Sequence, residues 1–135
     1  MMNKLVGYME RYDSLHESMI EEMELVTLQS GLLAIAKIML EDSYDSMETE
    51  EKMDFLNKTI DVAEDFIKVS KELSVKFNTL IMINETIGTL AKRLGCYSML
   101  EVDQRNEQLK TTVQLLTDSE HEEFLNKLLK LKNVG

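Results

Sequence analysis

The residues best equipped for chemistry are two acidic groups, Glu21-Glu22-Met23-Glu24 and Glu51-Lys52-Met53-Asp54. Facing carboxylates on two helices can hold a magnesium ion and activate a water, provided each group presents its acids on one face. Glu51 and Asp54 are three apart and share a face. Glu22 and Glu24 are two apart, about 200° around a helix, and cannot grip one ion together. Solvated helix faces account for these acids. His16 falls on the Met9-Tyr12-Met19 stripe, the place of a hydrogen-bonded core or boundary histidine, and His121 in an acidic first turn, where exposure is expected. Neither completes the Glu-x-x-His spacing of a helical di-metal site. Asp42 to Met53 fails as a calcium loop, lacking a glycine at its sixth position and a glutamate at its last. Cys96, the one cysteine, follows a helix C-terminus, whose dipole does not activate a thiol. No catalytic residue, metal ligand or cofactor site is expected.

A second pattern points to nucleic acid. Thr89-Leu90-Ala91-Lys92-Arg93-Leu94-Gly95-Cys96-Tyr97-Ser98 resembles the first half of a helix-turn-helix, with a small Ala91 four residues before the turn Gly95 and a capping serine after it. A recognition helix starting at Ser98 needs apolar packing near Glu101 and Gln104, which are polar, and it offers DNA Glu101 and Asp103 beside a lone Arg105. Formal net charge is -10, from 25 acidic against 15 basic residues, which repels phosphate backbones and anionic membranes. A degenerate helix-turn-helix over residues 89–105 would make the chain a DNA-binding regulatory or packaging protein. Its hairpin-like helical pattern is similar in architecture to the oligomerisation cores of viral small terminases. The acidic groups are similar to those of all-helical nucleotide pyrophosphatases, which pair Glu-Glu-x-x-Glu with Glu-x-x-Asp. Only the second element is present here, as Glu51 and Asp54. The expected function is instead a non-enzymatic protein–protein interaction module: an adaptor, inhibitor or assembly subunit working through amphipathic helix faces, with a protein partner whose surface is basic. DNA binding and metal-dependent nucleotide hydrolysis are the alternatives.

The elements behind these residues are helical. Alternating steps of four and three from Phe55 reach Thr59, Val62, Phe66, Val69, Leu73, Lys76, Leu80, Ile83, Ile87, Leu90 and Leu94, all apolar but Thr59 and Lys76. The opposite face, Asn57, Glu64, Lys71, Asn78, Glu85 and Lys92, is polar at every turn. No strand carries both faces. With Pro 0, Gly 5 and a 44% hydrophobic fraction, an all-α fold follows. The chain suits a single domain over residues 1–135: a helical bundle built on an antiparallel hairpin of two long helices, about 3–41 and 47–94, with two shorter helices, about 99–116 and 119–132. The first helix restarts, if anywhere, near Asp13-Ser14, and Ser46 caps the second. Gly95 supplies a left-handed C-cap, and Gly88 is the internal weak point.

The run from Leu25 to Leu40 carries a second apolar stripe, Leu25, Leu28, Leu32, Ile35 and Met39, and so wants neighbours on more than one side. It holds Gln29, Ser30 and Lys37, and is shorter than the ~20 residues of a membrane span, so a buried helix is expected and no membrane contact. The N-terminus meets Glu10, Arg11 and Asp13 before an apolar region develops, so no secretory signal is read and the cytoplasm is the expected compartment. Met19, Ile20 and Met23 are candidates for a partner groove, since methionines suit adaptable contacts. An unbroken helix from Ser46 to Leu94 would extend about 70 Å, against a radius of gyration of about 14 Å for a globule of this size. A homo-oligomer, a dimer first, is therefore expected across Ile60, Ile67, Phe77 and Ile81, with Lys76 paired to a carboxylate of the second chain. A break near Ser70–Ser74 or Gly88 is the competing outcome.

Overall fold

The computed structural model describes residues 1–134. It is all-α, with no strand among the described residues. Five helices follow in order: α1 (Met2–Ser18), α2 (Ile20–Asp42), α3 (Thr49–Leu94), α4 (Val102–Leu116) and α5 (Glu120–Val134), with 3-10 turns at Tyr44–Ser46 and Tyr97–Met99. α3 is unbroken at Ser70–Ser74 and at Gly88. The Ser74 hydroxyl donates within the helix to Lys71 O at 2.7 Å, so it does not draw water into the ladder.

Three helix boundaries differ from the sequence expectation, one of them the start of α4, at Val102 instead of about 99. The first long helix is not continuous over 3–41, and Asp13-Ser14 does not interrupt it; the interruption is Met19. There the Ser18 hydroxyl donates to Leu15 O at 2.6 Å, and Met19 N donates to His16 O at 3.1 Å, an i to i−3 bond that tightens the turn. Met19 itself is fully buried. Ser46 does not cap α3. Its hydroxyl donates back to Ser43 O at 2.8 Å, which folds the connection into a 3-10 turn and delays the helix to Thr49.

The chain forms two compact units. One comprises Met1–Glu21 and Lys71–Thr117. Its core is Leu5 of α1, Ile87 and Leu90 of α3 and Val102 of α4, with Tyr8, Tyr12 and Ile83 packed against it. α3 ends as the sequence predicts: Gly95 has φ 73, Cys96 N donates to Ala91 O at 3.0 Å and Gly95 N to Lys92 O at 3.2 Å, the paired bonds of a Schellman cap. Gly88 also has a packing reason. A Cβ there would meet Val102 Cγ1 at 3.0 Å and Tyr97 Cε2 at 3.3 Å, so the glycine is what lets the start of α4 lie against α3. Asn84, fully buried on α3, donates to Val102 O and to Asn106 Oδ1, both at 3.0 Å, and fixes the first turn of α4.

The second unit comprises Glu22–Ser70 and Asp118–Gly135, described to Val134. Val26, Leu33 and Ala36 of α2, Leu56, Ile60, Ala63 and Phe66 of α3, and Leu128 of α5 are its buried apolar residues. Tyr44 meets Phe55 at 6.1 Å between ring centres, and Gln29 Nε2 donates to Asp65 Oδ2 at 2.6 Å. Gln29 of α2 thus meets Asp65 of α3, while the connection between the two helices meets the start of α3. α5 is tied in by two aromatic contacts. His121 stands edge-on to Phe66 at 4.8 Å, and Lys37 Nζ lies 5.0 Å over the Phe124 ring. His121 is thus half-buried instead of exposed. Asp118 Oδ1 accepts from Glu120 N at 3.0 Å and caps that helix.

Candidate functional site

The feature with most chemical consequence is the outer face of α2. Residues 25–39 are apolar nearly all round, and a helix can turn only about 100° of its circumference to one neighbour. The side holding Val26, Gln29, Leu33 and Ala36 is buried. The other side is not: Leu25, Leu32 and Met39 are between 36% and 46% exposed, and Leu28, Ile35 and Ile38 about 60%. Contrary to the sequence expectation, α2 is not a buried helix; only 17% of its most apolar window is covered. By length and composition alone it is long and apolar enough to cross a membrane, with a mean hydropathy of 1.5 over that window. Beside the stripe runs a shallow groove of about 220 Å³, lined by Leu32, Ile35 and Met39 of α2 and by Phe55 and Val62 of α3. Its one charged lining group, Lys58, is paired with Asp54 at 3.0 Å. Along α2, Glu22 and Glu24 precede the stripe, and Glu41 and Asp42 follow it.

The residues expected at an interface fare unequally. Met19, Ile60 and Phe77 are no more than 4% exposed, covered by the chain itself, and so do not form the free face expected of them. Ile67, Lys76, Ile81 and Met23 are half-buried, while Ile20 is 42% exposed. The exposed apolar stripe lies on α2, while α3 exposes Val75 and Met82 singly. The signal for it was the second stripe, which the chain has too few apolar helices to cover.

Other candidate groups behave as structural elements. No three His, Cys, Asp or Glu side chains come together as a metal-holding group among the described residues. The start of α4 holds a polar cluster in which Arg105 Nη1 donates to Asn84 Oδ1 at 3.4 Å while its guanidinium lies 5.0 Å over the Tyr12 ring. Burial raises the Tyr12 phenol above its ordinary range. Tyr97 OH donates to an Asp103 carboxylate oxygen, and this bond raises the Tyr97 phenol as well. Between α3 and α4 lie residues 95–101, including a 3-10 turn and a left-handed Glu101 at φ 50, against the three or four residues of a helix-turn-helix turn. α4 begins at Val102, not Ser98, and Asp103, Gln104, Glu107 and Gln108 line its exposed side.

Comparison with family models, with curated proteins and with solved structures finds no match.

Proposed function

We propose that this chain is a non-enzymatic protein-binding module whose contact surface is the outer face of α2 and the groove beside it. One observation carries the proposal: six large apolar side chains stand exposed along four turns of a single helix. At about 200 Å² of accessible surface for a fully exposed side chain of this size, they leave on the order of 600 Å² uncovered, the top of the range for soluble monomers. Surface of that kind stays in water at a cost, and is retained where it binds something. The groove adds a receptor for an inserted side chain, as in helix-in-groove recognition.

The test is a paired comparison in the native host. Full-length chain and the Leu28→Glu/Ile35→Glu variant are tagged, matched for helicity by circular dichroism, and crosslinked to whatever they bind. A stoichiometric protein, of this or another sequence, retained by the first and lost from the second is the expected result. Equal capture by both, tight binding of duplex DNA, or magnesium-dependent hydrolysis of nucleoside triphosphates would each contradict the proposal.

A further inference from the structure

Resting on that reading, we infer that the occupant of the α2 stripe is a second copy of this chain, seated helix against helix. Leu25, Leu28, Leu32, Ile35 and Met39 recur at alternating steps of three and four, the seam of a two-helix coil, and such a seam is complementary to itself. Gly31 lies beside the stripe. A Cβ built there meets nothing within 4 Å, as at Gly7 of α1, so the chain's own packing requires a glycine at neither position, where each costs about 1 kcal/mol against alanine. Gly88, by contrast, is required by Val102. A helix crossing α2 at Gly31 can approach its backbone closely, and the groove between Met39 and Phe55 then receives a side chain of the incoming α2. Two such patches bury on the order of 1,200 Å² in total, the lower limit for a specific interface.

Charge argues against a lipid surface. The stripe is bounded by Glu21, Glu22 and Glu24 at one end and Glu41 and Asp42 at the other, where the ends of a membrane segment carry basic anchors. The inner side of α2 is already committed to Asp65 through Gln29 and to Phe124 through Lys37. The same acids set the salt dependence. Two copies bring like charges together at the ends of the stripe, so screening strengthens the dimer; a basic partner helix would be weakened by it.

Sedimentation equilibrium of the full chain, from about 1 to 200 µM, decides the matter. The expected result is a mass rising to twice 15.6 kDa, with association several-fold tighter at about 0.5 M salt than at 0.05 M. Leu28→Glu/Ile35→Glu weakens it by about 100-fold or more with helicity unchanged, whereas Val75→Glu, at an exposed position of α3, leaves it as it was. In a Cys96→Ser background, Leu32→Cys forms an interchain disulfide under mild oxidation and Val75→Cys does not. A mass of 15.6 kDa throughout, a dimer indifferent to the α2 substitutions, or stripe-dependent flotation of the monomer on phosphatidylcholine vesicles overturns the inference. A monomer whose α2 stripe still captures a different host protein overturns only the second copy; α2 substitutions that change neither mass nor capture overturn the binding module too.

Discussion

Gly88→Ala should destabilise the protein by about 1 kcal/mol, although helix propensity alone favours the change by about that amount. The opposing term is steric. The new methyl would lie 3.0 Å from Val102 Cγ1 and 3.3 Å from a Tyr97 ring carbon, several tenths of an ångström inside ordinary contact. Tyr97, packed against the same core with its hydroxyl on Asp103, is the lesser contact. Val102 is the closer one and cannot yield: it is 4% exposed and β-branched, which restricts its rotamers. Overpacking of this kind costs about 1–3 kcal/mol, which outweighs the propensity gain. The cycle with Val102→Ala isolates the clash. Once Cγ1 is gone, Gly88→Ala should become stabilising by up to about 1 kcal/mol, a coupling of roughly 2 kcal/mol between the two positions. Urea unfolding followed by far-ultraviolet circular dichroism measures all four proteins. A Gly88→Ala effect that is stabilising in the parent, or equal in both backgrounds within about 0.3 kcal/mol, would refute the packing argument.

Two further outcomes follow from unit-internal contacts. Asn84→Ala removes the buried hydrogen bond to Val102 O and the part-buried ones with Asn106 and Arg105, and leaves a void, so a loss of about 2–3 kcal/mol is expected in the same unfolding assay; a loss under about 0.5 kcal/mol would mean the network does not anchor α4. Asp103→Ala removes the acceptor that raises the Tyr97 phenol, so its ionisation, followed at 295 nm, should move down toward the ordinary phenol value of 10.0. The sign for stability is fixed by the direction: a raised phenol holds its proton better when folded, so the contribution is complete below pH 10.0 and lost as pH rises through the folded value. An unmoved titration curve would contradict the bond to Asp103.

The all-α class, the long α3 and its glycine cap were legible because each is a local signal: a sustained heptad step, an absence of proline, a glycine one residue past the last seam position. Leu73, Leu80 and Ile87 of the predicted seam are indeed at most 1% exposed. The break at Met19 was not legible, since Ser18 makes the same hydroxyl bond to the third residue back that Ser74 makes inside the unbroken α3, so residue type carries no sign of it. Ser46 misled for a related reason: a serine hydroxyl serves a 3-10 turn as readily as an N-cap. The interface was misplaced because spacing says which residues share a face but not which face the chain's own helices reach first. Ile60 and Phe77 were covered; the Leu28–Ile35 side of α2 was left over.

The most direct test of the α2 surface is carbene footprinting of the full chain, free and dilute against assembled in its native host. Residues 25–39 should be heavily labelled in the free chain, with Leu28, Ile35 and Ile38 foremost, and should show the largest protection of any segment on assembly. Labelling of 25–39 that is the same in both states would contradict the account, whatever else the chain is found to bind.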